Sequence, residues 1–90
     1  MVRVRKRDGS VEEFVESKIR SGIREAGATA QEAERVTKEV VEKVAHRVEI
    51  TSEDLSEIVV RSTEKVNKKV AREFVRFRDA KLKAKKKPKP

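Results

Sequence analysis

The stretch Val2-Arg3-Val4-Arg5-Lys6-Arg7-Asp8-Gly9-Ser10-Val11-Glu12-Glu13-Phe14-Val15 decides how the rest of the chain is read. Val2 and Val4 alternate with charged residues, as a half-buried strand does, and Asp8-Gly9 is a dipeptide that closes tight hairpins. Val11 to Val15 then returns with β-branched and aromatic residues. Its alternation is imperfect, because Val11 and Glu13 share one face while Glu12 and Phe14 share the other. The chain therefore opens with a β-hairpin.

Outward from the hairpin the period changes from two to that of a helix. Ser17 is expected to cap a first helix near 17–26, in which Ile19, Ile23 and Ala26 recur at i, i+4 and i+7 and Gly27 supplies a left-handed stop. Thr29 and Glu32 form a T-x-x-E capping box for a second helix near 30–46, whose apolar stripe is Ala33, Val36, Val40 and Val44. Val48-Glu49-Ile50 is a short alternating piece that can add a strand to the hairpin, and Thr51-Ser52-Glu53-Asp54 opens a third helix carrying Leu55, Ile58, Val59 and Val66. The register changes near Asn67, and Val70, Ala71, Phe74, Phe77 and Leu82 form the stripe of a fourth helix, with Phe74 and Phe77 expected in the core. The expected fold class is α+β: a four-helix bundle capped by a small β-hairpin or three-stranded sheet, in the order β-β-α-α-(β)-α-α, over residues 1–82.

Composition narrows the function classes. Ninety residues with 24 Lys and Arg against 16 Asp and Glu carry a formal charge of +8. The excess lies at the ends: residues 1–7 hold four basic groups and 80–90 hold six Lys, whereas 8–79 hold 14 basic and 16 acidic groups. After Leu82 the apolar residues fade, and 83–90 reads as a disordered Lys/Pro tail that cannot offset its ordering entropy. The absence of Cys excludes a disulfide framework, a zinc ribbon and a thiol nucleophile, and a single His, His46, leaves no His-based metal cluster. So short a chain buries only about 60% of its unfolded surface, which favours a binding module over an enzyme with a deep cavity. No nucleophile and base pair off in sequence, so an enzyme is not expected. No apolar run nears the ~20 residues of a membrane span and no signal-peptide core opens the chain, so a cytoplasmic location is expected. The high charge content is compatible with a thermophilic source.

Three strings in order, V-x-K-R-D-G-x-x-E-x-F-x-x-x-K-I from Val4 to Ile19, Ile50-Thr51-Ser52-Glu53-Asp54-Leu55, and the closing Val70-Ala71-x-x-Phe74-x-x-Phe77-Arg78, resemble the ATP-cone, an allosteric nucleotide-binding domain of ribonucleotide reductases and of a bacterial repressor of their genes. The resemblance spans residues 2 to 82 and implies a free-standing regulatory module that binds ATP or dATP, with or without Mg2+, without hydrolysing it. It also implies that Lys6 and Arg7 contact the phosphates, with Arg78 or Lys81 completing the cluster. Glu12 would accept from the adenine amino group, and Thr51 or Ser52 would lie near the base or sugar. Val4, Phe14, Val15, Lys18 and Ile19 complete the implied nucleotide-binding set. Chemistry agrees independently on the phosphate side, since Lys6, Arg7, the Asp8-Gly9 backbone amides and Lys18 can supply converging donors. Two positions depart from the family: Val15 stands where a base-pairing Asp or Asn is common, and Glu64 to Lys69 lacks the usual aromatic or Gly. The implied partners are the nucleotide, a regulated protein related to ribonucleotide reductase, and a second copy of the chain.

Plainer readings stand beside these. Lys6-Arg7 alone is the solvated end of an edge strand, Glu12 alone is a strand-surface carboxylate, Thr51 and Ser52 are helix caps, and His46 is solvated near a helix end. The rival function is a small basic nucleic-acid-binding protein using its Lys-rich tail, whose affinity would fall steeply with salt.

Overall fold

A computed structural model describes residues 2–86 of the chain, with side chains described for 2–80. The elements are β1 (Arg3–Arg5), β2 (Val11–Glu13), α1 (Glu16–Glu25), α2 (Ala30–Val44), β3 (Glu49–Thr51), α3 (Ser52–Val66) and α4 (Lys68–Lys86). The protein is α+β, and the cap on the bundle is a three-stranded sheet of order β2-β1-β3. β1 runs antiparallel to β2 and parallel to β3.

Register explains the imperfect second strand. Val4 sits opposite both Glu12 and Ile50, so these three share the sheet face turned to the helices. Val4 and Ile50 are buried there, while Glu12 is half-buried on edge strand β2. Val11 and Glu13 point to the exposed face, so the apolar member of the pair is the outward one. On that outer face Arg5 Nε donates to Glu49 Oε2 at 2.7 Å, a diagonal cross-strand ion pair.

Two packed clusters follow from the stripes. Ile23 of α1, Ala33, Val36 and Val40 of α2, Val59 of α3 and Val70 of α4 make the bundle core. Val2, Val4, Val44 and Ile50 make the smaller core beneath the sheet. Phe14, Leu55 and Ile58 pack against both and join them. Each fully buried Val or Ile contributes roughly 1.5–3 kcal/mol relative to exposure. The buried hydroxyls of Thr37 and Thr63 donate to the carbonyls of Ala33 and Val59, each at 2.7 Å.

Helix ends follow the sequence in most places. Thr29 Oγ1 accepts from the Glu32 amide and Glu32 Oε1 accepts from the Thr29 amide, a complete capping box. Gly27, at φ 111°, ends α1 in a Schellman arrangement: its amide donates to Arg24 O and the Ala28 amide to Ile23 O. Thr51 ends β3 and caps α3, accepting from the Asp54 amide at 3.1 Å. Between α3 and α4, Asn67 Oδ1 accepts from the amides of Lys69 and Val70, while its Nδ2 donates to Glu32 Oε2 at 3.2 Å.

Two expectations change. Ser17 does not cap α1; the helix starts at Glu16, with Val15 as N-cap and no side-chain cap bond, because Phe14 is held in the ladder by its amide bond to Val2 O. Phe77 is 44% exposed instead of buried. Phe74 faces α1, where its ring lies beside Gly22, and three further residues turn Phe77 about 60° round the helix from that direction. The inward position one turn on belongs to Arg78, which is half-buried. The stripe member Leu82 has a side chain outside the described residues, as do residues 87–90 of the expected tail altogether. His46 is exposed just after α2.

Candidate functional site

The hairpin turn is a preformed loop. The Lys6 amide donates to Ser10 O at 2.8 Å and the Gly9 amide to Lys6 O at 3.0 Å, with Gly9 at φ 91°. Asp8 Oδ1 accepts from both the Ser10 hydroxyl, at 2.7 Å, and the Ser10 amide, at 2.9 Å. Those bonds, the hydroxyl's foremost, hold the Asp8 carboxyl below the usual carboxylate range. Asp8 thus fixes the turn, and the turn presents Lys6 and Arg7.

From there two charge clusters diverge. Toward α1, Glu12 stands between two lysines: Lys6 Nζ lies 3.0 Å from Oε2 and Lys18 Nζ 3.7 Å from Oε1. The Lys6 hydrogen bond, helped by the Lys18 charge and opposed by desolvation, lowers the Glu12 carboxyl below its ordinary value. Toward α3 and α4, an open cleft of about 830 Å³ lies between the turn, the first turns of α3 and the middle of α4. Its cations are Lys6, Arg7 and Arg78, and its carboxylates are Asp8, Glu53, Asp54, Glu57 and Asp79. Ser52 and Ser56 complete the wall.

Each of those cations already has a partner in the protein. Arg7 Nη2 contacts Glu53 Oε2 at 2.7 Å, Lys6 holds Glu12, and Arg78 Nη1 donates to Ser56 Oγ at 3.1 Å. Arg78 Nε is buried and has no hydrogen-bond acceptor among the described residues. Asp79 Oδ1 lies 3.5 Å from it, within ion-pair distance but outside hydrogen-bond geometry. A buried guanidinium N–H without an acceptor is the donor a phosphate oxygen satisfies, so the donor set fits a polyphosphate. Among the described residues no three of His, Asp and Glu converge as metal ligands.

Of the residues singled out in the sequence, Lys6, Arg7, Ser52 and Arg78 meet at this cleft. Glu12 and Lys18 adjoin it through Lys6. Thr51 is occupied as a cap, Val15 is a partly exposed N-cap, and Val4, Phe14 and Ile19 pack into or against the core. The Lys81 side chain lies outside the described residues. Glu53, Ser56 and Asp79 escaped the sequence reading. Glu53 and Asp54 registered only as first-turn acids complementing a helix dipole, and Ser56 carried no signal beyond lying one turn into α3.

The chain matches the protein family described as the ATP cone domain over residues 2–83. A search of curated proteins gives no match.

Proposed function

This chain belongs to the ATP-cone family, a family of nucleotide-binding regulatory modules, and from that premise we propose that it binds ATP or dATP at the hairpin and uses occupancy as a signal. In this reading the triphosphate lies in the cleft on Lys6, Arg7 and Arg78, and the base extends past Lys6 toward Glu12 and Lys18. One observation carries it: three cations from the hairpin and α4, one with a buried N–H lacking an acceptor among the described residues, line a single cleft in a chain that the family covers almost end to end. The module binds without hydrolysis, in the cytoplasm.

Transmission follows from the elements that form the cleft. α3 and α4 supply its walls and pack on each other, so a ligand that binds one packing of these helices better shifts the population toward it. The listener is a partner protein or a second copy of the chain. Val15 gives the base no hydrogen bond from its side chain, so selectivity for the triphosphate exceeds selectivity for adenine.

Calorimetric titration of the full chain with ATP, dATP, GTP and CTP tests the reading. Saturable binding of ATP or dATP is expected, weakened about tenfold or more in Lys6→Ala and Arg7→Ala, since a hydrogen bond to a charged group is worth roughly 1.5–3 kcal/mol. Absence of saturable binding at millimolar nucleotide overturns it.

A further inference from the structure

The cleft that this proposal assigns to a triphosphate carries five carboxylates against three cations. Charge alone therefore does not recruit a polyanion; the cations must first be released from the protein's own acceptors. The three are not equally releasable. Lys6 is tied to Glu12, a carboxylate it shares with Lys18, and Arg78 is half-buried against Ser56 of α3. Among the described residues Arg7 is held by one ion pair, to Glu53, whose side chain is 64% exposed and free to swing into water.

We propose that Glu53 is an internal competitor for Arg7: its carboxylate occupies the guanidinium that a phosphate of the ligand requires, and so sets the affinity threshold of the site. The chemistry is direct. A carboxylate and a phosphate oxygen accept the same guanidinium N–H groups with similar geometry, and the phosphate brings more charge. Exchange of one for the other breaks the ion pair between the hairpin turn and the first turn of α3, while the β1–β3 ladder beside it stays in place. Ligand occupancy and the hairpin-to-α3 link are then alternatives, and the link is the element that binding switches. The opposite role, Glu53 as a residue that positions Arg7 for the ligand, would give effects of the opposite sign.

The inference rests on the nucleotide reading, and the test separates the two. Affinities for ATP and for inorganic tripolyphosphate are measured by calorimetry in wild type, Glu53→Gln, Asp54→Asn, Arg7→Ala and the Arg7→Ala/Glu53→Gln double variant. Asp54→Asn removes the same charge from the same helical turn without touching the Arg7 pair. Glu53→Gln is expected to tighten both ligands, by about three- to fivefold beyond any change in Asp54→Asn, the range that an exposed ion pair supports. The gain should vanish in the Arg7→Ala background, as a double-mutant cycle requires of a pairwise competitor. Wild-type binding that Glu53→Gln leaves unchanged, weakens, or tightens no more than Asp54→Asn does overturns the competitor while leaving the nucleotide site standing. No binding by any variant overturns both.

Discussion

The bundle and the hairpin end of this protein are held by different physics. In the bundle, Ile23, Ala33, Val36, Val40 and Val59 are at most 1% exposed, and the helix ends are closed by Thr29, Glu32, Gly27 and Asn67. At the hairpin end, outside the strand ladder and the small core of Val2, Val4, Val44 and Ile50, the side-chain connections are ion pairs between groups that are a third or more exposed: Lys6 with Glu12, Arg7 with Glu53, Arg5 with Glu49. Packing of the first kind loses several kcal/mol when one side chain is cut. Pairs of the second kind contribute about 0–1 kcal/mol each and exchange partners at little cost. A regulatory site gains from that division, since it has to change partners without loosening its scaffold.

The harshest way to break the contrast is a truncation in the bundle. Ile23→Ala removes a side chain with no exposed surface, and about 3 kcal/mol of unfolding free energy should go with it. Urea denaturation followed by circular dichroism reads this directly. Arg7→Ala, by comparison, should leave the urea midpoint nearly unchanged while nucleotide affinity falls. A midpoint loss in Arg7→Ala as large as that in Ile23→Ala would show that the hairpin end carries the fold, contrary to the contrast.

A smaller effect tests the seam between α3 and α4. Asn67→Ala deletes the acceptor for the Lys69 and Val70 amides and the bond to Glu32, and the lost cap should cost about 1–2 kcal/mol. Glu32 makes this loss pH-dependent. The Thr29 amide foremost, and then Asn67, lower its carboxyl below the usual 4.5. A carboxyl lowered on folding stabilises fully above its unfolded value, and the contribution disappears as pH falls through the lowered one. The gap in thermal midpoint between wild type and Asn67→Ala should therefore be widest at neutral pH and shrink below about pH 4. A gap that is constant down to pH 3 would remove Glu32 from the link.

What could be read in the sequence follows the same division. The α2 stripe and its capping box depend on spacings of three and four residues, so Ala33, Val36, Val40, Val44, Thr29 and Glu32 are legible from the chain alone. Lys6 and Arg7, through the K-R-D-G string, and Arg78 or Lys81, through the family resemblance, stand out in the sequence as candidate phosphate ligands. Their acceptors do not. Arg7 meets Glu53 only because β3 runs parallel to β1 and delivers the start of α3 beside the hairpin turn, a relation that no local pattern encodes. Phe77 misled because a helical stripe of apolar residues implies a continuous buried face, whereas the inward direction past Phe74 goes to the half-buried Arg78. The Ser17 cap failed for a related reason: the strand preceding α1 ends at Glu13, and the chain turns into the helix before a capping hydroxyl is reached.

That early turn leaves the smallest and most local prediction. Val15 occupies the N-cap of α1 at φ −121° and ψ 118°, an extended conformation in which Asp or Asn accepts from the N2 or N3 amide, yet Val offers no acceptor. Its side chain is 38% exposed, so little packing is forfeited on replacement. Val15→Asp should raise stability by about 0.5–1 kcal/mol, a few degrees in thermal midpoint for a domain of this size. Val15→Asn should retain most of that gain without adding charge beside Glu12 and Glu16, which separates the cap from electrostatics. If neither variant gains, the amides at the start of α1 are satisfied without a side-chain cap, and the hairpin end has less slack than its exposed ion pairs imply. If both gain, the slack lies at the position from which, by the family resemblance, a polar side chain is expected to reach the base of the proposed nucleotide. Affinity for ATP relative to GTP, measured in the same two variants, then tells whether Val15 costs the protein stability alone or base selectivity as well.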